Sequence, residues 1–380
     1  MLSQILVPID ANVLETALHK NPTFTKYIHS YHEKHSLDGY AVALMGVQDF
    51  RGHVLNKGTE EAADAIRRQL YAFSSFTNNL PLLDLGNIVA GDTYADTLIA
   101  MEYVMRECFK KNLIVVILGG DISLTKAQFK AYELFEVPMH LTQIASQVVW
   151  EENEIDQNRS YLQDIFKHSL LKKYSLVAYQ SYLMHDRQLA SLTKMQSDFL
   201  RVGKIREHIF EAEPYIREAD ALSFDVNAIR FSDAPGQYEP SPNGLFGDEA
   251  CALVRFAGMS DKAMSLGLYD YNPVIDISDI TAKQLAQMVW YFVEGVSLRR
   301  TDYPIIDEND FHAYTVRIDE ADHEFIFLKS KKTDRWWMKL VFDRNEKQAH
   351  KIIPCTYKDY LTALNNEIPE RWMREYMRVA

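Results

Sequence analysis

LIVVILGGDIS (Leu113–Ser123) decides the fold. Its first six residues are continuously apolar, the pattern of a strand buried on both faces, and such strands belong to parallel sheets covered by helices. Gly119 and Gly120 then suit a tight turn. Asp121 follows, placed to cap the helix read over Leu124–Phe135. Strand, turn and helix start in one short span are the unit from which alternating α/β domains are built.

The same alternation extends in both directions. Strands are expected at Tyr40–Val47, Met139–Ala145, Leu176–Gln180, Ala221–Val226 and Ala263–Leu268. Helices are expected over Thr59–Phe76, Thr93–Lys111, Phe246–Ala257 and Ala282–Leu298. In the first of these, Ala62, Ile66, Leu70 and Phe73 form one apolar stripe. The fold class is therefore α/β, a three-layer α/β/α arrangement around a mostly parallel sheet, spanning residues 40–300. Residues 1–39 read as a polar prelude, helical from about Asn12 onward. Within it His29, His32 and His35 drift across a helix face, which favours a solvated surface over a metal cluster.

Beyond Arg300 the pattern changes. Thr301–Asp310 is acidic, contains Pro304 and reads as a linker. Residues 301–380 form a C-terminal α+β extension packed on the main domain. Its β-rich runs are His312–Ile318, Glu324–Leu328 and Trp336–Phe342, with a turn at Lys329–Asp334 and helices near Tyr357–Leu364 and Pro369–Met377. Trp336 and Trp337 must face opposite sides of their strand. One reading makes the outward ring a partner surface; the other covers Trp337 with the terminal helix.

Charge and cysteine usage exclude several roles. The chain carries 41 Lys and Arg against 53 Asp and Glu, a net −12. Phosphate backbones would be repelled, so nucleic acid is not an expected partner. No apolar run approaches the ~20 residues that span a bilayer, and no membrane role is expected. Three dispersed cysteines, Cys108, Cys251 and Cys355, form no CxxC pair, which fits a reducing, cytoplasmic setting.

Ligands of open α/β sheets bind beyond the carboxyl ends of the strands. The turns there are GGDIS (Gly119–Ser123), IASQVV (Ile144–Val149), DVNAIRFSDAPG (Asp225–Gly236) and GLYDYNP (Gly267–Pro273). Asp225 and Asn227 should point to one side and line a pocket. The Asp233–Gly244 stretch reads as an ordered surface loop, with a lid or oligomer contact as the other reading.

In order, these turns resemble the ureohydrolase (arginase, agmatinase, formimidoylglutamase) family. Gly119–Ser123 resembles its GGDHS motif. Leu222–Asn227, then Ala234-Pro235-Gly236 and Gly244, resemble its SxDxD…PG…GG pattern, and Leu268–Pro273 its ExNP element. Gly46-Val47, Arg51-Gly52, Asn56, Gly58 and Ala65-Ile66-Arg67 resemble the N-terminal element of formimidoylglutamase-like members. The resemblance spans roughly Tyr40 to Leu298 and implies an arginase-like fold.

It also implies two Mn²⁺ ions held by six side chains. The GGDHS histidine is Ile122 here. Aligning the DAHxD alanine with Ala145 puts Ile144, Ser146 and Val148 at three ligand positions. Asp225 is retained, but its partner is Asn227. An acidic family residue falls on Gly267, the ExNP glutamate on Asp270, and a family glycine on Glu61. No DxHxD string occurs in the chain. The expectation is a ureohydrolase-fold protein without the two-manganese centre, with no cofactor and a non-catalytic ligand- or protein-binding role. Residual pocket candidates are Asp121, Ile122, Ser146, Asp225, Asn227, Asp270 and Asn56; for Asp121, capping outweighs a remnant acid role. The competing expectation is a Mn²⁺-dependent hydrolase of linear amidines. A structural subunit is the third. Partners expected are a second copy of the chain, as family members commonly oligomerise, or another protein through the C-terminal extension.

Overall fold

The structure, a computed structural model, describes residues 2–10, 12–13, 24–33, 36–76, 78, 80–148, 160–304, 307–318, 323–344 and 347–379. Among them a ten-stranded sheet forms the centre: β1 (Leu6–Val7), β2 (Ile28–Ser30), β3 (Val42–Gln48), β4 (Leu82–Val89), β5 (Ile114–Leu118), β6 (Met139–Ile144), β7 (Leu171–Tyr179), β8 (Asp198–Arg201), β9 (Ala221–Asp225) and β10 (Ser265–Tyr269). The spatial order is β1-β4-β3-β5-β10-β9-β6-β7-β8, with β2 also on β4. β1–β4 is antiparallel and the other pairings are parallel.

Alternate residues of one strand feed two separate cores, as the twofold period of a strand requires. Val42 and Leu44 of β3 pack with the helices Ala62–Leu70, Gly247–Met259 and Ile280–Ser297. Ala43 and Met45 pack with Tyr94–Phe109, Thr125–Ala131 and Tyr161–Lys167. The expected three layers are present.

β4 was not expected, because LLDLGNIV interrupts its apolar run with Asp84, Gly86 and Asn87. All its residues but the last are nevertheless buried. Arg67, fully enclosed on its helix, donates from Nε and Nη2 to both Asp84 oxygens at 2.8 Å. A bidentate pair of this kind satisfies both ions where neither could stay alone.

The prelude departs from expectation. Most of the helix expected after Asn12 lies outside the described residues, as does His35. His29 sits on strand β2, which runs parallel to β4, and its ring lies edge-on to Tyr40 with centroids 5.5 Å apart.

The C-terminal extension is an antiparallel sheet of four strands in sequence order: β11 (Phe311–Ile318), β12 (His323–Ser330), β13 (Trp336–Arg344) and β14 (Lys347–Cys355). The expectation named three; polar KQAHKIIPC hid the fourth. Its Pro354 is tolerated because β14 is an edge strand. The helices Tyr357–Leu364 and Glu370–Val379 cover one face. Trp336 belongs to that face and stacks on Tyr360 at 5.1 Å. Trp337 points the other way, under the guanidinium of Arg217 at 4.2 Å. The terminal helices therefore pack on the half-buried Trp336, and Arg217 of the main domain covers Trp337, which corrects the reading that placed Trp337 under the terminal helix. Among the described residues no helix is long and apolar enough to cross a membrane.

Candidate functional site

β5, β10, β9 and β6 lie side by side, so their carboxyl ends deliver four turns to one place. The turn after β5 is made by Gly119 and Gly120, at φ +78° and +74°, where a side chain would be strained. It presents Asp121, 1% exposed. Asp121 Oδ1 accepts the Ser123 N–H at 2.8 Å, and Oδ2 accepts the Tyr94 hydroxyl at 3.1 Å. The carboxylate thus caps the turn that follows. Ile122 packs in a core.

After β10 the chain enters the left-handed region at Asp270, φ +65°. The Asp270 N–H donates to Gly120 O at 2.9 Å, tying the β10 and β5 turns together. Asp270 Oδ1 is buried without a hydrogen-bond partner among the described residues, and His53 Nδ1 lies 4.0 Å from it. Asn56 Nδ2 donates to Asp270 O at 3.4 Å, while its Oδ1 accepts Asn272 Nδ2 at 2.9 Å.

β9 ends at Asp225, and Val226–Ala228 form a short 3-10 turn. Asp225 and Asn227 are therefore not alternate strand residues, yet they meet. Asp225 Oδ1 accepts both the Asn227 N–H at 2.8 Å and its Nδ2 at 2.7 Å. The loop that follows is ordered: Gln237 Nε2 donates to Val226 O and Ile229 O at 3.0 and 2.7 Å. Ile144, the last residue of β6, packs in one core, and Val148 beyond it packs in the other. Ser146 is 3% exposed, and its carbonyl accepts the Gln180 N–H at 2.8 Å. Glu61 stays exposed on the rim of its helix.

Asp121, Asp225 and Asp270 share one electrostatic environment. Burial, and then the charge of Asp270, push the Asp121 carboxyl up to about 7. Burial, Asp270 and Glu239 push Asp225 up to about 8 against its hydrogen bonds from Asn227. Asp121 and Asp225 are thereby shifted toward the protonated form near neutral pH. Asp270 Oδ1 can receive a hydrogen-bond donor. Among the described residues no three His, Cys, Asp or Glu side chains are grouped so as to hold a metal ion.

Four of the sequence candidates, Asp121, Asp225, Asn227 and Asp270, come together, with Asn56 beneath. Ile122, Ile144 and Val148 do not join them. Sequence reasoning missed His53, although it lies inside the quoted stretch between Gly52 and Asn56. It also missed Tyr161, which feels the charges of Asp225 and Asp270 and accepts Gln143 Nε2 at 2.6 Å; nothing in its local sequence marks it. Gly267 has a steric reason: a Cβ there would lie 2.2 Å from the Tyr269 hydroxyl, which donates to Gln128 Oε1 at 2.9 Å.

A model of the arginase family matches residues 40–294. A formimidoylglutamase from Staphylococcus aureus is 23% identical over 293 residues, covering 69% of this chain and 88% of that protein. Among solved structures, a Trypanosoma cruzi formiminoglutamase with Mn²⁺ superposes with a TM-score of 0.66 at 18% identity, over 73% of this chain and 99% of that one. A formimidoylglutamase from Bacillus subtilis gives the same TM-score and identity, over 73% and 93%. Proclavaminate amidino hydrolase from Streptomyces clavuligerus gives 0.62 at 17% identity, over 73% and 98%. At these identities the structural likeness establishes the fold.

Proposed function

Because the chain belongs to the arginase family, we propose that it uses that fold as a binding scaffold and does not carry a two-manganese hydrolytic centre. The observation that carries this reading is the packing of Ile122, Ile144 and Val148 into the hydrophobic cores at positions that align with metal ligands. Two adjacent dications need several carboxylates and imidazoles, and aliphatic side chains offer no lone pair. Asp225, the retained ligand, is pushed up to about 8 and already receives two hydrogen bonds from Asn227. It is therefore a poor anion at neutral pH. The residues present do not fit a manganese pair.

On this reading the strand-end site takes a small guanidino- or amidino-like molecule. Asp270 Oδ1, buried and without a hydrogen-bond partner among the described residues, supports that role. The three cysteines are buried free thiols, which supports a reducing, cytoplasmic setting.

The likeness to formimidoylglutamases motivates a second reading, metal-dependent hydrolysis of a linear amidine. One experiment separates the two. Protein purified without chelator is analysed for Mn, Zn and Fe, then titrated with Mn²⁺ in a calorimeter. The binding reading expects substoichiometric metal and no saturable Mn²⁺ heat. Stoichiometric manganese together with release of ammonia or formamide from a formimino substrate would establish the hydrolase instead.

A further inference from the structure

We propose that Asn243–Gly244 is a site of spontaneous covalent modification, at which Asn243 deamidates to aspartate and isoaspartate and slackens the loop tied to the strand-end site. This Asn-Gly step occurs once in the chain.

Three features of the fold favour the chemistry. First, Asn243 is exposed, and its side-chain amide makes no hydrogen bond among the described residues. The amide is therefore free to turn back on its own main chain. Second, the next residue has to be glycine. A Cβ at Gly244 would lie 2.6 Å from Arg230 N and 2.7 Å from Ala228 O. No side chain then hinders approach to the Gly244 nitrogen. Its N–H donates no hydrogen bond among the described residues. Third, Gln180 Nε2 donates to the Asn243 carbonyl at 2.9 Å. That carbonyl is conjugated with the Gly244 nitrogen in one peptide unit. The donor therefore stabilises negative charge as the nitrogen loses its proton.

The deprotonated Gly244 nitrogen attacks Cγ of Asn243. A C–N bond forms, the Cγ–Nδ2 bond breaks, and the amide nitrogen leaves as ammonia with the proton that Gly244 gave up. Water then opens the resulting succinimide. Cleavage between nitrogen and Cγ gives aspartate, and cleavage between nitrogen and the α-carbonyl carbon gives isoaspartate.

Both products add a negative charge. Isoaspartate also lengthens the main chain by one methylene and displaces the carbonyl that Gln180 holds. The other ties of this loop are Tyr182 to Ser241 at 3.2 Å, Gln147 to Glu239 at 3.0 Å, and the Glu239 N–H to Asn227 Oδ1 at 3.3 Å. Asn227 belongs to the strand-end group, so slack introduced at Asn243 reaches that site.

The test incubates the full, folded chain under mildly alkaline conditions and follows Asn243 by peptide mass spectrometry. A gain of one dalton at Asn243 is expected, with isoaspartate detected by protein isoaspartyl methyltransferase. Asn243→Gln should abolish both signals, because its longer side chain closes a larger ring. Aged wild type should exchange amide hydrogens faster over residues 236–245, and aged Asn243→Gln should not. Fresh Asn243→Asp carries the charge on a normal backbone and should exchange like unaged wild type. An unchanged mass at Asn243, a gain that appears only after urea unfolding, unaltered exchange in the aged loop, or fast exchange in fresh Asn243→Asp would each overturn the proposal.

Discussion

Lys173 on β7 and Glu375 on the last helix lie 2.7 Å apart, both buried, and they bind the C-terminal extension to the parallel sheet. The same ammonium reaches Glu218 at 2.7 Å and Asp198 at 2.8 Å. Removing it leaves the largely buried Glu218 beside His140 without its ammonium, while Glu375 keeps Lys351 and Arg378 and Asp198 keeps Arg378. Lys173→Met should lose ~3–5 kcal/mol of stability in urea unfolding, the usual penalty for breaking a buried pair. A loss under ~1 kcal/mol would mean that water reaches the cluster.

The pair also sets an acid limit. Burial alone would raise the Glu375 carboxyl, but Lys173, Arg378 and Lys351 together outweigh it and hold the group at about 2. A folded-state value below the unfolded one, near ~4.3, contributes stability above that value. The contribution fades as pH falls toward 2. Unfolding free energy should therefore drop between about pH 4.5 and 2, and less steeply in Glu375→Gln. Parallel pH profiles for the two proteins would refute the assignment.

How much of this was legible in the sequence depends on chemistry. β5 could be found because a strand buried on both faces must be apolar throughout. The carboxyl-end turns could be found because positive-φ glycines and capping carboxylates leave a trace, as at Gly119, Gly120 and Asp121. β4 was hidden because its Asp84 is satisfied by Arg67, a partner 17 residues earlier in the chain. Trp336 and Trp337 showed their alternation but not which face met which layer. That is decided by Arg217, a residue on another element. Asp270's missing hydrogen-bond partner is likewise invisible until the fold brings β5, β9 and β10 together.

Trp337 predicts how the extension is held. It is 1% exposed, lies under Arg217 and meets Phe311 edge-on at 5.4 Å. Trp337→Ala removes the ring and leaves a cavity, at a cost of ~3–5 kcal/mol. Faster hydrogen exchange should follow in β11–β14, with β3, β5 and β10 still protected. Equal loss of protection in both sheets would show a single cooperative unit.

Asp121 predicts the opposite pH slope from Glu375. Burial and Asp270 raise its carboxyl to about 7, above the unfolded ~3.9. Between these values the native state binds a proton that the unfolded chain has released. Stability must then fall as pH rises from about 4 to 7 and level off above it. Asp121→Asn removes the titration while its carbonyl can keep the bond from the Ser123 N–H. The variant should match wild type near pH 4 and exceed it by ~2–4 kcal/mol at pH 8. Equal stability at both pH values would mean that Asp121 ionises normally.

Manganese itself provides the last prediction. Ile122→His returns one imidazole to a position now packed in the core, while Ile144, Ser146, Val148 and Asn227 stay as they are. One imidazole beside a largely protonated Asp225 cannot hold a dication, so Mn²⁺ should not change the variant's melting temperature. The replacement itself buries a polar ring and should lower that temperature in either condition. Adding Ile144→Asp, Ser146→His, Val148→Asp and Asn227→Asp rebuilds the full set of donors. The apo form of that fivefold variant should be strongly destabilised, because two new carboxylates enter the cores. Metal that binds only the folded state must then raise its melting temperature in proportion to the logarithm of free Mn²⁺. If Ile122→His alone gained stability from Mn²⁺, the surviving donors would be sufficient and the binding-scaffold reading would fail.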